Sequence, residues 1–299
     1  MHKEPGFWEG LNTVVTGHAG LIGQSLTKEL VQLGADVTGF DLKKHDNIMN
    51  YSAVLKAVTG ADSVFHLAAQ SMVDTARSDP YEAWRVNVMG TLNVIEACRE
   101  AKVKSIAVAT SNHVYGVNRG RVAEDANLND LDTYSATKIA VDYMSRSYSH
   151  VYGTPIVVIR NTNCFAAHDP HQRHIVPYSI GCFLEGVQPT LTSDGTTKKS
   201  YLHSEDVAGA YLAASQYVIE NPRSYHVFNV SDKPISTIDL VRTIAEVMKV
   251  KANPVIGMTH VGHDEELDSS LIRRVAGWKP KYTLRQAIAV TADKMALMR

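Results

Sequence analysis

Cysteine is scarce in this 299-residue chain: Cys98, Cys164 and Cys182 are the only three, and they stand far apart. Such usage excludes a disulfide-stapled scaffold and suits a reducing compartment. An excess of one charge is also missing, with 30 lysines and arginines against 31 aspartates and glutamates. No global field is available to hold nucleic acid or an anionic membrane, so an anionic ligand must be gripped locally. No apolar run approaches the ~20 residues of a membrane span. Residues 1–10 (MHKEPGFWEG) lack the apolar stretch of a secretory signal. These absences lead us to expect a cytoplasmic protein with no membrane or nucleic-acid partner.

What is present is a core-forming chain with 44% hydrophobic residues, enough for one large domain or two smaller ones. The first half alternates short apolar runs with amphipathic segments. Strands are expected at Asn12–Thr16, Asp36–Phe40, Ser63–Leu67, Ser105–Ala109 and Pro155–Ile159. Helices are expected at Leu21–Leu33, Tyr51–Val58, Trp84–Ala101 and Tyr134–Tyr152. This rhythm implies an α/β fold with a doubly wound parallel sheet of the Rossmann type. After about Phe165 the rhythm breaks and Pro, Gly and His become frequent. We therefore expect a dinucleotide-binding domain over 1–165, rejoined by about 202–230. A smaller α/β substrate-binding part would take 166–201 and 231–299.

Directly after the first strand comes Gly17-His18-Ala19-Gly20-Leu21-Ile22-Gly23, leading into a helix. Glycines there let the backbone approach a pyrophosphate, and the helix N-terminus supplies amide donors. The spacing is GxxGxxG, whose bland alternative is a structural turn. Asp41 ends the second strand, where a carboxylate can accept from an adenosine ribose and repel a 2′-phosphate. That favours NAD over NADP, although Lys43 and Lys44 follow closely and Asp41 has a solvated strand end as its alternative.

Tyr134 and Lys138 (YSATK) share a helix face. An ammonium beside a phenol should lower its pKa toward neutrality, so that it can take a proton from a hydroxyl while hydride leaves. The pair follows a strand that runs into Thr110-Ser111-Asn112-His113-Val114-Tyr115-Gly116, which brings a serine hydroxyl to the same place.

Taken in order, TGHAGLIG, HLAAQ (66–70), NVMGT (87–91), SNHVYG and YSATK resemble the extended short-chain dehydrogenase/reductase family, and within it the NAD-dependent nucleotide-sugar epimerases and dehydratases. RNTN (160–163), IVP (175–177), SDGTTKKSYLHSEDV (193–207) and GWKP (277–280) extend the resemblance over nearly the whole chain. The resemblance implies that Ser111 bonds a substrate hydroxyl, Tyr134 is the base and Lys138 holds the nicotinamide ribose. It places Asn47 and Ile48 at the adenine, and Leu67, Ala68 and Ala69 along the cofactor groove. Asn163, His168 and Lys199 would meet the sugar nucleotide. Helices 84–101 and 134–152 would form a homodimer.

Two departures matter. Where the resembled dehydratases carry an acid after the catalytic hydroxyl, this chain has Asn112-His113. An amide cannot donate a proton as a general acid, which favours epimerisation through a transient keto sugar over loss of water. A 4,6-dehydratase and a net sugar or uronate dehydrogenase remain as alternatives, the last because Ser-Asn-His also occurs in uronate dehydrogenases. His113 is either a second acid/base or a hydrogen-bonded part of the pocket wall. The other departure is Lys199, where the resemblance leads one to expect a diphosphate-gripping arginine. His168, His171 and His174 invite a metal reading, but Pro170 and the loop-like setting argue against a rigid site, and no metal is expected.

Overall fold

Strand alternation sorts the apolar residues onto two faces. The computed structural model describes residues 6–117, 120–222, 225–257 and 262–299. In it Asn12–Thr16 (β1), Asp36–Phe40 (β2), Ser63–His66 (β3), Ser105–Ala109 (β4) and Ile156–Asn161 (β5) pair in parallel. Short strands follow at Asn163–Phe165 (β6), Thr190–Leu191 (β7), Lys198–Lys199 (β8) and Tyr201–His203 (β9). His226–Val230 (β10) then returns to β5, so the sheet runs β2-β1-β3-β4-β5-β10.

Val15, Phe65, Ala107 and Val157 point to one face, where Leu21–Gln32 (α1) packs. Val14, Val64, Ile106 and Val158 point to the other, covered in part by Tyr51–Val58 (α2). Burial on both faces is why these strands read as unbroken apolar runs.

The helix expected over Trp84–Ala101 is not a single regular one. Val73–Ser78 (α3) and Pro80–Trp84 (α4) precede it, and Arg85–Gly90 winds as a wider π-helical segment before Thr91–Glu100 (α5). The widened turns accompany two tight fits. Asn87 is buried, and its amide grips the backbone of Gln70 at 2.8 and 3.1 Å. A Cβ on Gly90 would stand 2.5 Å from Ile48 Cδ1, so the isoleucine side chain rests directly on the glycine. Such wide turns concentrate near functional sites.

Thr133–Tyr152 (α6) begins with a capping box between Asp132 and Ser135, which sets where its first turn lies. Beyond it come Ile175–Leu184 (α7) and Ser204–Glu220 (α8), the latter packed against α1. Ile235–Ser236 (β11) pairs with β8, and Val255–Ile256 (β12) pairs with β7. Thr237–Met248 (α9), Ser270–Val275 (α10) and Leu284–Leu297 (α11) complete the order. Val176, Ile180, Leu240, Ile244 and Ile288 join α7, α9 and α11 around a core separate from the two that sandwich the sheet. Among the described residues no helix is long and apolar enough to cross a membrane.

Candidate active site

A cleft of about 610 Å³ opens at the carboxyl ends of the strands. It lies where the chain switches from one side of β1 to the other, the place a doubly wound sheet offers a ligand. Gly17, Gly20, Leu21, Ile22 and Gly23 line it, as do Asp41, Asn47, Ile48, Leu67, Ala68 and Ala69. Ser111, Asn112, His113, Tyr134, Lys138 and Asn163 line it too. His168 and Lys199 do not.

The glycines are needed for geometry. Gly17 has φ +71°, and a Cβ there would meet Ala68 N at 2.7 Å. A Cβ on Gly23 would collide with the Gly17 carbonyl. Asp41 closes the loop from the other side: its Oδ2 accepts from Ala19 N at 3.1 Å and its Oδ1 from Lys43 N at 2.9 Å. The carboxylate therefore ties the glycine loop to the end of β2 while facing the cleft. A cradle that any Cβ would fill, below an acidic strand end, fits the pyrophosphate and ribose of a dinucleotide.

The HLAAQ and NVMGT motifs build the wall between these parts. Thr91 gives its only proton to the Asn87 carbonyl at 2.5 Å, so His66 Nε2 must donate to Thr91 Oγ1 at 2.9 Å. His66 Nδ1 then accepts from Thr16 Oγ1 at 2.7 Å. Burial holds this imidazole neutral, with its pKa pushed down to about 3, the Lys138 charge adding to the effect. It is a structural strut.

At the reacting end, Ser111 Oγ donates to Asn112 Oδ1 at 3.2 Å and accepts from His113 N at 3.2 Å. The His113 and Tyr134 rings meet edge to face, 5.8 Å apart. Lys138 Nζ donates to the Ala109 carbonyl at 3.1 Å and lies 5.8 Å from the centre of the Tyr134 ring. The expected depression of the tyrosine pKa is not found. Burial pushes Tyr134 up to about 12, a hydrogen bond with Ser111 opposes this, and Asp132 adds to it. Burial also pushes Lys138 down to about 8. The reason is that Lys138 is bonded to a carbonyl rather than to the phenol, so desolvation dominates both groups. His113 is lowered as well, chiefly by burial, which favours its neutral form.

Helix α6 is locked in place by a residue of the RNTN motif. Arg160 makes a paired contact with Asp142 at 2.8 and 2.9 Å and donates to Tyr115 Oη at 2.7 Å. A buried fork of this kind is costly to break. It ties α6 to β5 and to the turn that carries Ser111.

Of the remaining candidates Asn163 lines the cleft, whereas His168 and Lys199 stand apart from it. Asn163 Nδ2 donates to the Ser200 carbonyl at 3.2 Å. His168 Nε2 lies 3.0 Å from the Leu21 carbonyl, bracing the start of α1 from behind. Lys199 Nζ is paired with Glu265 Oε1 at 2.7 Å. His171 and His174 do reach the cleft, together with Asp169, whose Oδ2 lies 2.8 Å from His174 Nδ1. Among the described residues no group of three or more histidines, cysteines or carboxylates could hold a metal ion.

Two residues at the site went unnoticed in sequence. Arg85 lines the cleft in a bidentate pair with Glu82 at 2.6 and 2.7 Å. Glu265, 153 positions from Asn112, accepts from the Asn112 amide through its other oxygen. The Glu82–Arg85 pair is an i,i+3 contact that spacing could have flagged, whereas Glu265 depends on long-range packing that spacing does not mark.

A glycine cradle, an acidic strand end and a Ser–Tyr–Lys group over one cleft define a dinucleotide-dependent oxidoreductase-type site of the short-chain kind. The family model described as "NAD dependent epimerase/dehydratase family" matches residues 13–231, and the chain belongs to this family. It is an NAD-dependent enzyme of the extended short-chain dehydrogenase/reductase group. A UDP-glucose 4-epimerase from Mycolicibacterium smegmatis is 28% identical, over 95% of this chain and 98% of the relative. A dTDP-glucose 4,6-dehydratase from Xanthomonas campestris is 27% identical, over 94% of this chain and 92% of the relative. The fold matches a UDP-glucose 4-epimerase from Thermotoga maritima solved with UDP-glucose, with a TM-score of 0.88, 22% identity and coverage of 96% and 99%.

Proposed function

We propose that the enzyme is a nucleotide-sugar epimerase that works through a transient keto sugar. The observation that supports this most is the convergence of Ser111, Tyr134 and Lys138 on the same cleft as the glycine cradle. NAD, when bound, supplies the acceptor and later the donor of hydride. Ser111 orients the reacting hydroxyl and Tyr134 takes its proton. Lys138, on leaving the Ala109 carbonyl, binds the nicotinamide ribose and favours the phenolate by its charge. Gly17, Gly20, Leu21, Ile22 and Gly23 hold the pyrophosphate, Asp41 the adenosine ribose, Asn47 and Ile48 the adenine. Leu67, Ala68 and Ala69 wall the groove, and Asn163 contacts the sugar. His113, neutral at pH 7, serves as a fixed hydrogen-bonding wall. In this reading residues 1–165 and 202–230 carry NAD, and 166–201 and 231–299 carry substrate.

The 4,6-dehydratase alternative loses support from Asn112, whose amide is committed to Ser111 and Glu265. Net oxidation of a sugar or uronate without a nucleotide is the second reading, favoured by the engagement of Lys199 with Glu265. We also propose a cytoplasmic homodimer built through α4–α5 and α6, which lie side by side and expose Tyr81, Trp84, Met89 and Tyr143. Incubation with UDP-, GDP-, CDP- and dTDP-sugars and with free sugars and uronates separates the readings by mass. An epimerase gives no mass change and an inverted carbon by NMR; loss of water or net formation of NADH would reject it.

A further inference from the structure

The hydride chemistry leaves the run HDPHQRH (168–174) without a task, yet Asp169, His171 and His174 from it line the cleft. Asp169 is the hub. Its carboxylate is buried, with Oδ1 accepting from His171 N and Oδ2 from His174 Nδ1, each at 2.8 Å. Further bonds brace the loop from within. Asp169 N donates to the Ala166 carbonyl at 3.2 Å, and His174 N to the His171 carbonyl at 2.9 Å. His168 fastens the same loop to the start of α1.

A carboxylate only accepts, so His174 carries a proton on Nδ1 and Nε2 is the nitrogen left for a ligand. His174 is also the N-cap of α7, but its ring makes no capping bond. The side chain is 40% exposed, and the His171 ring stands beside it with centres 5.4 Å apart. Once protonated, two imidazoles this close can each give an N–H to a different oxygen of one diphosphate. Asp169 then balances the charge gained at His174 from behind. Other basic groups lining the cleft are engaged. Arg85 is paired with Glu82, Lys138 with the Ala109 carbonyl, and Lys43 lies 3.5 Å from the Ala19 carbonyl at the Asp41 end. Burial favours neutral His113. Asn163 begins the stretch of chain that carries the two rings and lines the same cleft.

We propose that His171 and His174, the latter aimed by Asp169, form the receptor for the substrate's diphosphate. The proposal rests on the nucleotide-sugar reading and names the side chains that grip the phosphate-bearing part of such a substrate. NAD is itself a diphosphate, so the test keeps the cofactor bound and measures its affinity separately.

NAD-loaded enzyme is titrated by calorimetry with UDP, GDP, CDP and dTDP and with the matching nucleosides. At least one diphosphate should bind about tenfold or more tighter than its nucleoside, and the proposal is overturned if none does. With that pair, His171→Gln and His174→Gln should each weaken the diphosphate about tenfold and leave the nucleoside unchanged. His171→Lys, which keeps a positive charge, should bind the diphosphate nearly as well as wild type. Unchanged diphosphate affinity in the glutamine variants, an equal loss for diphosphate and nucleoside, or a lysine variant as weak as glutamine would overturn the proposal. NADH affinity by fluorescence titration should not move; a loss confined to NADH would assign the imidazoles to the cofactor and overturn it as well. The sugar panel is scored apart. If no nucleotide sugar reacts while the diphosphate still binds through His171 and His174, the epimerase reading falls and the receptor stands.

Discussion

Tyr134 and Lys138 are both pushed by burial toward their uncharged forms, Tyr134 to about 12 and Lys138 to about 8. For Lys138 the folded pKa lies below the unfolded one, so the unfolded chain binds more protons between about pH 8 and 10.5. Stability from this residue therefore rises with pH across that window, and the full cost of burying the ammonium is felt below pH 8. Lys138→Met should raise the stability of NAD-free enzyme at pH 7 by on the order of 1–2 kcal/mol while abolishing turnover. Denaturant melts at pH 7 and pH 10 check this, and the gain should shrink at the higher pH. Tyr134→Phe removes only the hydroxyl. It should cut turnover by roughly two to four orders of magnitude with NAD affinity unchanged. Retained activity would take Tyr134 out of the mechanism.

At the scale of elements, the β1–α1 turn and the widened α4–α5 segment do the positioning. Gly23→Ala would drive a Cβ into the Gly17 carbonyl and to 2.7 Å from His18 Cα, both backbone atoms. The loop must then open, and NADH affinity by fluorescence titration should fall by about tenfold or more, with circular dichroism near wild type. The α1, α2 and β1–β4 boundaries were legible because short apolar runs and glycine punctuation are local signals. The π-helical segment was not. It accompanies the fit of Asn87 to Gln70 and of Ile48 over Gly90, contacts that no local periodicity encodes.

At the scale of the whole molecule, Tyr81 is 78% and Tyr143 54% exposed on the α4–α5/α6 face, beside Trp84 and Met89. Clustered apolar exposure of this kind favours association. Trp84→Glu should convert the proposed homodimer to a monomer in light scattering, with NAD binding retained. An unchanged mass in solution would place the interface elsewhere. The core of α7, α9 and α11 is separate from the sheet cores, yet Glu265 reaches from that half of the chain to Asn112. The two halves therefore meet at the reacting centre.

The sequence alone determined the parallel sheet, the glycine turn and the shared helix face of Tyr134 and Lys138, because each rests on periodicity or on residues a few positions apart; the role of Ser111 beside them was implied only by the resemblance. Only the tertiary structure decided the charge at the site. Whether a phenol, an ammonium or Lys199 is free depends on burial and on partners far away in the chain, and spacing cannot carry that information. Lys199 read as an anion's receptor until the fold brought Glu265 to it across 66 positions.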